Sequence, residues 1–195
     1  MYVARGTPGR KHFASGSPIS RSKGSAFSLV SKFRFFLAAA SGVLTTLAEV
    51  DGHDATERIA AMIRRSRYRP GLAIVLIDGT AVGGFNVIDV DALHAAFDVP
   101  VATVTRKKPD LTAIERALRR RFEDWEERLA VIRRNPIEPI RSPHGTVWVT
   151  FVGAPRSEVQ EALRLTTVRG VLPEPLRIAH LIAAGIVRGE SRGRA

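Results

Sequence analysis

A chain of 195 residues, 45% hydrophobic and 25% charged, has the length of one domain of roughly 100–200 residues and an ordinary soluble composition, which excludes disordered and fibrous classes. Zero cysteines exclude disulfides, thiolate zinc sites and a cysteine nucleophile, and leave the cytoplasm as the expected compartment. The formal charge of +11 points to nucleic-acid phosphates, whereas the apolar run 35–40 is far short of the roughly 20 residues of a membrane span and comes too late for a secretory signal.

The charge is unevenly spread. Residues 1–41 contain Arg5, Arg10, Lys11, Arg21, Lys23, Lys32 and Arg34 and no acid, which accounts for +7 of the +11 and leaves +4 for the rest. This stretch is rich in Ser and Gly and lacks strand-like alternation, so the organisation expected is an atypical basic segment, 1–41, before a domain at 42–195. Val43 to Val50 has the β-branched and apolar content of a strand and closes on Asp51-Gly52. Asp54-Ala-Thr-Glu57 then predicts a capping box, with Ile59, Met62 and Ile63 as the apolar stripe of the helix. Leu72 to Ile77 is a continuous apolar run tipped by Asp78, the pattern of a central strand buried on both faces. Val99 to Thr105 predicts another strand. Pro109-Asp110 starts an Arg-rich helix through Phe122, and Trp125 to Arg134 reads as a further helix. Thr146 to Val152 is a short strand, Ser157 with Gln160 is placed to cap a helix, and Pro175 marks the first turn of the last one. Strands alternating with helices imply an α/β sheet. The sequence contains no internal repeat and no glycine-rich phosphate loop of standard spacing.

Four stretches carry candidate chemistry, each with a plainer alternative. Asp51-Gly52-His53-Asp54 sets two carboxylates and an imidazole at a strand-to-helix junction, although Asp-Gly is a common turn pair and Asp54 suits a cap. Asp78 ends a buried strand, where open α/β sheets place their ligands, and Gly83-Gly84 following it suits either a close substrate approach or a tight turn. His180, flanked by Leu176 and Ala184 at helical spacing, is by spacing alone more often a core residue than a ligand. The tail Gly189 to Ala195 is either a solvated end or a basic hook. Arg106, Lys107 and Lys108 follow a strand expected to end at the same sheet edge as Asp78, so they are candidates for phosphate binding as well as for a solvated turn.

In order, VDGHDAT, LIDGTAVGGFNVID, VPVATVTRKKPD, LPEPLRIAHLIAAGI and GESRGRA resemble the endonuclease dU family over 42–195, and LPEPLRIAH also resembles the stretch before the last helix of endonuclease V. The resemblance implies an α/β fold with a ribonuclease H-like mixed sheet flanked by helices. It further implies a DNA-repair endonuclease acting near deoxyuridine or other deaminated bases, with carboxylates holding Mg2+ (or Mn2+). By that match Asp78 is the central metal ligand, Asp51 an acid supplied after the third strand, and His180 a holder of water, phosphate or the metal shell. Gly83, Gly84, Phe85 and Asn86 become the wall for the base, Phe85 stacking and Asn86 reading an edge. The chain departs from the family in one respect: members carry consecutive aspartates on the first strand, whereas here no acid precedes Glu49. Such a composition suits a shifted reading frame or a wrong gene model. It opens an alternative function, a catalytically silent nucleic-acid-binding protein of the same fold.

Overall fold

A computed structural model describes residues 2–5, 24–30 and 42–191, with side chains from residue 42 onward, Arg188 excepted. The strands are β1 (Tyr2–Arg5), β2 (Gly24–Val30), β3 (Val43–Glu49), β4 (Val75–Asp78), a small hairpin of β5 (Ala81–Val82) and β6 (Asn86–Val87), β7 (Val101–Thr105), β8 (Glu138–Ser142) and β9 (Gly145–Val152). The helices are α1 (Ala55–Arg64), α2 (Val90–Phe97), α3 (Leu111–Arg119), α4 (Trp125–Arg133), α5 (Arg156–Thr166) and α6 (Glu174–Arg188). Seven strands form one mixed sheet in the order β3-β2-β1-β4-β7-β9-β8. Because β1, β4 and β7 pair in parallel and β2 reverses direction between β1 and β3, the C-terminal ends of β3, β1, β4 and β7 share one edge.

The apolar run of β4 is continuous because both its faces are covered. Val75 and Ile77 pack with Ile59, Ile63 and Leu93 under α1 and α2; Leu76 faces the other way, onto Val159, Leu163 and Leu176 of α5 and α6. All of these side chains are fully buried, each stabilising the fold by about 1.5–3 kcal/mol relative to exposure. A third cluster joins α3 and α4 through Leu118, Leu129 and Ile132, with Phe85 and Phe122 packed against it.

Several local expectations differ from what forms. The Asp54–Glu57 capping box is absent: the Asp54 side chain turns back to accept from the Glu49 N–H at 3.0 Å, and Asn86 Oδ1 accepts from the Ala55 N–H at 2.9 Å instead. A distant amide thus caps α1 because β6 brings it to the helix start. Ser157 lies inside the first turn of α5, whose N-cap is Pro155, and makes no cap bond. Asp110 does cap α3, accepting from the Ala113 N–H at 2.9 Å. β1 and β2 arise within the basic stretch 1–41 although it shows no alternation; strand form there follows from neighbours β3 and β4, a case of pairing outweighing local pattern. The remainder of 1–41 lies outside the described residues.

Candidate functional site

Two periodicities bring Asp78 and His180 together. Along β4, residues two apart share a face, so Asp78 follows Leu76 onto the side covered by α6. Along α6, Pro175 in the first turn sets the helix start, and Leu176 and His180, four apart, lie on one stripe. Leu76 and Leu176 meet in the core, and one step further out His180 Nδ1 stands 3.5 Å from Asp78 Oδ2. Both side chains remain partly open, 31% for His180 and 21% for Asp78, whereas Leu176 and Ala184 on the same helix face are buried. The histidine is therefore a partly open position between two buried residues of an apolar stripe, with an acid beside it, not an enclosed core residue. A carboxylate opposite Nδ1 favours the proton on that nitrogen and leaves the lone pair on Nε2 for a water, phosphate or cation.

Asp51 is engaged elsewhere. It adopts a left-handed backbone, φ 59°, at the turn after β3. Its N–H donates to Gly83 O at 2.8 Å, and its Oδ1 accepts from the Phe85 N–H at 2.8 Å. Arg121 lies 3.6 Å from the other carboxylate oxygen. Gly84 has to be glycine here: at φ 93° an added Cβ would stand 2.1 Å from Asp51 Oδ1. Of the acids and histidine expected to converge, the structure joins Asp78 and His180, and among the described residues no group of three or more His, Cys, Asp or Glu is placed to hold a metal ion.

The Gly83–Asn86 turn is an internal junction. Asn86 is wholly buried and donates to Glu49 O at 2.9 Å and to Asp54 Oδ1 at 2.7 Å while capping α1, so its polar atoms are engaged inside the fold. Phe85 packs edge-on against Phe122, ring centroids 5.8 Å apart, which holds it in the α3–α4 cluster. Partial burial raises the Asp54 carboxyl, but hydrogen bonds from Arg58, the Glu49 N–H and Asn86 outweigh it and hold the group below its ordinary value.

Sequence reasoning missed Arg128. Its guanidinium is buried, donates from Nε to Asp124 Oδ2 at 2.7 Å and from Nη1 to Gly52 O at 3.0 Å and Phe85 O at 2.7 Å, and lies 4.4 Å from the Phe122 ring centroid. His53 Nε2 is 2.8 Å from Arg128 Nη2 and 2.9 Å from Asp124 Oδ2. This arginine therefore clamps the 51–53 turn and the 83–85 turn to α4. The Asp124–Arg128 spacing of four in a helix was the available signal. Burial raises the Asp124 carboxyl, yet hydrogen bonds from Arg128 and its own backbone N–H, with the charges of Arg128 and His53, together leave it lowered.

Arg106, Lys107 and Lys108 are exposed just beyond β7, at the edge shared with Asp78. Among the described residues none of the three has an acidic partner, and Lys108 Nζ lies 5.2 Å from the Trp148 ring centroid. At the tail, Gly189 closes α6 in a left-handed cap, and residues 192–195 are outside the described part, so the hook reading of that stretch is not reached.

The fold agrees with what the chain is similar to. A UPF0215 protein of Methanothermobacter thermautotrophicus is 44% identical over 155 residues, covering 79% of this chain and 76% of that one. A crystal structure of a protein of unknown function from Archaeoglobus fulgidus DSM 4304 matches with TM-score 0.78 at 26% identity, over 96% of this chain and 97% of that one. Endonuclease V of Ciona intestinalis, in complex with a 24mer DNA containing an inosine followed by a ribo-adenosine, shares the fold at TM-score 0.55 and 10% identity, over 96% and 85%. These likenesses make the fold that of endonuclease V, and the endonuclease dU family model matches residues 20–187: the chain belongs to the endonuclease dU family.

Proposed function

We propose that this chain binds DNA at the Asp78–His180 edge and that its chemistry, where present, is endonucleolytic cleavage near deoxyuridine or another deaminated base. The observation that carries the reading is the pairing of Asp78 with His180 at the C-terminal end of the central strand, beside the exposed cations Arg106, Lys107 and Lys108. Membership of a family whose fold is that of endonuclease V, one example of which is bound to DNA, supports it. Asp51 enters this reading as a support of the Gly83–Phe85 turn.

The donors fit Mg2+ or Mn2+ poorly. Hard cations take several oxygen ligands, and the described residues offer at this point one carboxylate and one imidazole. β1 pairs with β4 in parallel, Tyr2 with Leu76 and Val3 with Ile77, so the next step of the register places Ala4 level with Asp78, and the missing first-strand acid falls on this strand. That observation favours a second reading, a nucleic-acid-binding protein that retains the fold with little or no cleavage. We assign no step to a bound metal. The discriminating experiment is incubation of an end-labelled uracil-containing DNA strand with the protein, with and without magnesium, alongside a binding measurement on the same strand. Binding with weak or no cleavage is expected; absence of binding refutes both readings.

A further inference from the structure

A groove of about 750 Å³ opens between the start of α3 and the end of α4, within one short loop of the Asp78 edge. Its volume lies within the roughly 300–1,000 Å³ of sites that enclose a small organic ligand. Leu111, Ile132, Pro136 and Ile137 give it apolar lining, and Lys108 and Asn135 line it as well. We propose that it takes one base of a single nucleic-acid strand whose phosphates lie along Arg106, Lys107 and Lys108. The inference rests on the nucleic-acid reading above and adds a base subsite to it.

Three features of the groove select this occupant. Lys108 belongs both to the groove lining and to the basic triplet, so a strand held by the triplet brings its next sugar and base to the groove. Of the two cations lining the groove, Arg133 is spent on Glu115 at 2.7 Å, and Asp110 caps α3, so Lys108 is the cation left for a phosphate and the apolar lining suits a neutral ring. Asn135 donates from Nδ2 to Asp91 Oδ2 at 2.7 Å. A carboxylate can only accept, which fixes the amide orientation and leaves Asn135 Oδ1, without a partner among the described residues, as an acceptor. Such an acceptor matches a ring N–H or an exocyclic amine of a base. Apolar walls and a single acceptor tolerate more than one base identity, as stacking sites for single strands do.

The test compares two eight-nucleotide probes, oligothymidylate and an abasic tetrahydrofuran oligomer with the same phosphates, each titrated into the isotopically labelled full chain. Oligothymidylate is expected to shift the Leu111 and Ile132 methyl resonances and the Asn135 side-chain amide; the abasic probe is expected to move only the signals around Arg106 to Lys108. Asn135→Leu, checked for an unchanged melting temperature, is expected to weaken oligothymidylate binding on the order of tenfold and to leave the abasic probe unaffected. Equal responses to the two probes, or full oligothymidylate affinity in the variant, overturn the base subsite while phosphate binding stands. No response to either probe overturns the subsite and the nucleic-acid reading together.

Discussion

Replacing Arg128 by alanine removes a buried cation that has several acceptors. Its side chain is 6% exposed and its donors serve the Asp124 carboxylate and the carbonyls of Gly52 and Phe85, with His53 alongside. Deleting it strips two backbone acceptors of their donor and leaves Asp124, 28% exposed, without its close counter-charge. Removing one partner of a buried, hydrogen-bonded ion pair costs about 3–5 kcal/mol, and the weakened packing under Phe122 acts in the same direction. Since whole domains are stable by about 5–15 kcal/mol, such a variant should lose a large share of its folding free energy. Arg128→Lys keeps the charge but cannot serve both carbonyls and Asp124 at once, so an intermediate loss is expected. Urea unfolding followed by circular dichroism, with Arg164→Ala as an exposed control expected to show no change, measures all three. A loss below about 1 kcal/mol for Arg128→Ala would refute the clamp, because it would mean that the two turns hold without α4.

Asp54 and Asp124 are both held below the ordinary carboxyl value of 3.8, so their stabilisation is complete above that value and is lost as pH falls through the lower values of the folded state. Unfolding free energy should therefore stay level from neutral pH to about 5 and decline more acid; Asp54→Asn should flatten part of that acid limb, and an identical limb in the variant would contradict the assignment. Removing the charges of Arg106, Lys107 and Lys108 together should weaken DNA binding and reduce the salt slope by up to about 0.9 for each phosphate no longer neutralised; an unchanged slope would take the triplet out of the interface.

How far the sequence discloses these features depends on where the forces come from. β4 is readable because burial on two faces leaves a local mark, an uninterrupted apolar run before Asp78. α3 is readable because Asp110 caps its own helix. α1 has a readable apolar stripe but an unreadable cap, since Asn86 arrives from 31 positions away and displaces the local capping box. Depth is equally hidden. Asn86 in a glycine-rich turn looks like a surface amide, and only the packing of β6 against α1 and α4 shows that it is enclosed. The junction of His53 with Arg128 spans 75 positions and has no local expression beyond the Asp124–Arg128 spacing. The closeness of Asp78 and His180 follows from the family resemblance; spacing alone favours a core histidine, and the apolar stripe behind that reading does exist, with Leu176 and Ala184 buried on either side of a ring that stays partly open beside Asp78.

The position of Ala4 carries the last prediction. Adjacent strands lie about 4.8 Å apart, so an aspartate at the register position beside Asp78 would set two carboxylates close together at the sheet edge. Two like charges about 5 Å apart repel by about 3 kcal/mol at the effective dielectric of a protein surface. A second carboxylate there adds that repulsion to the metal-free sheet and supplies the clustered negative charge that holds a hard cation against its hydration. Ala4→Asp should therefore lower the melting temperature in chelator, recover or exceed the parent value with millimolar magnesium, and raise magnesium-dependent cleavage of uracil-containing DNA. Adding Asp78→Asn to that variant should remove both the magnesium response and the cleavage, because the repulsion and the cation site need the same two carboxylates. If Ala4→Asp melts at the parent temperature in chelator and shows no magnesium response, β1 does not deliver this residue to Asp78. Efficient cleavage by the parent chain would show that another acid already fills the place.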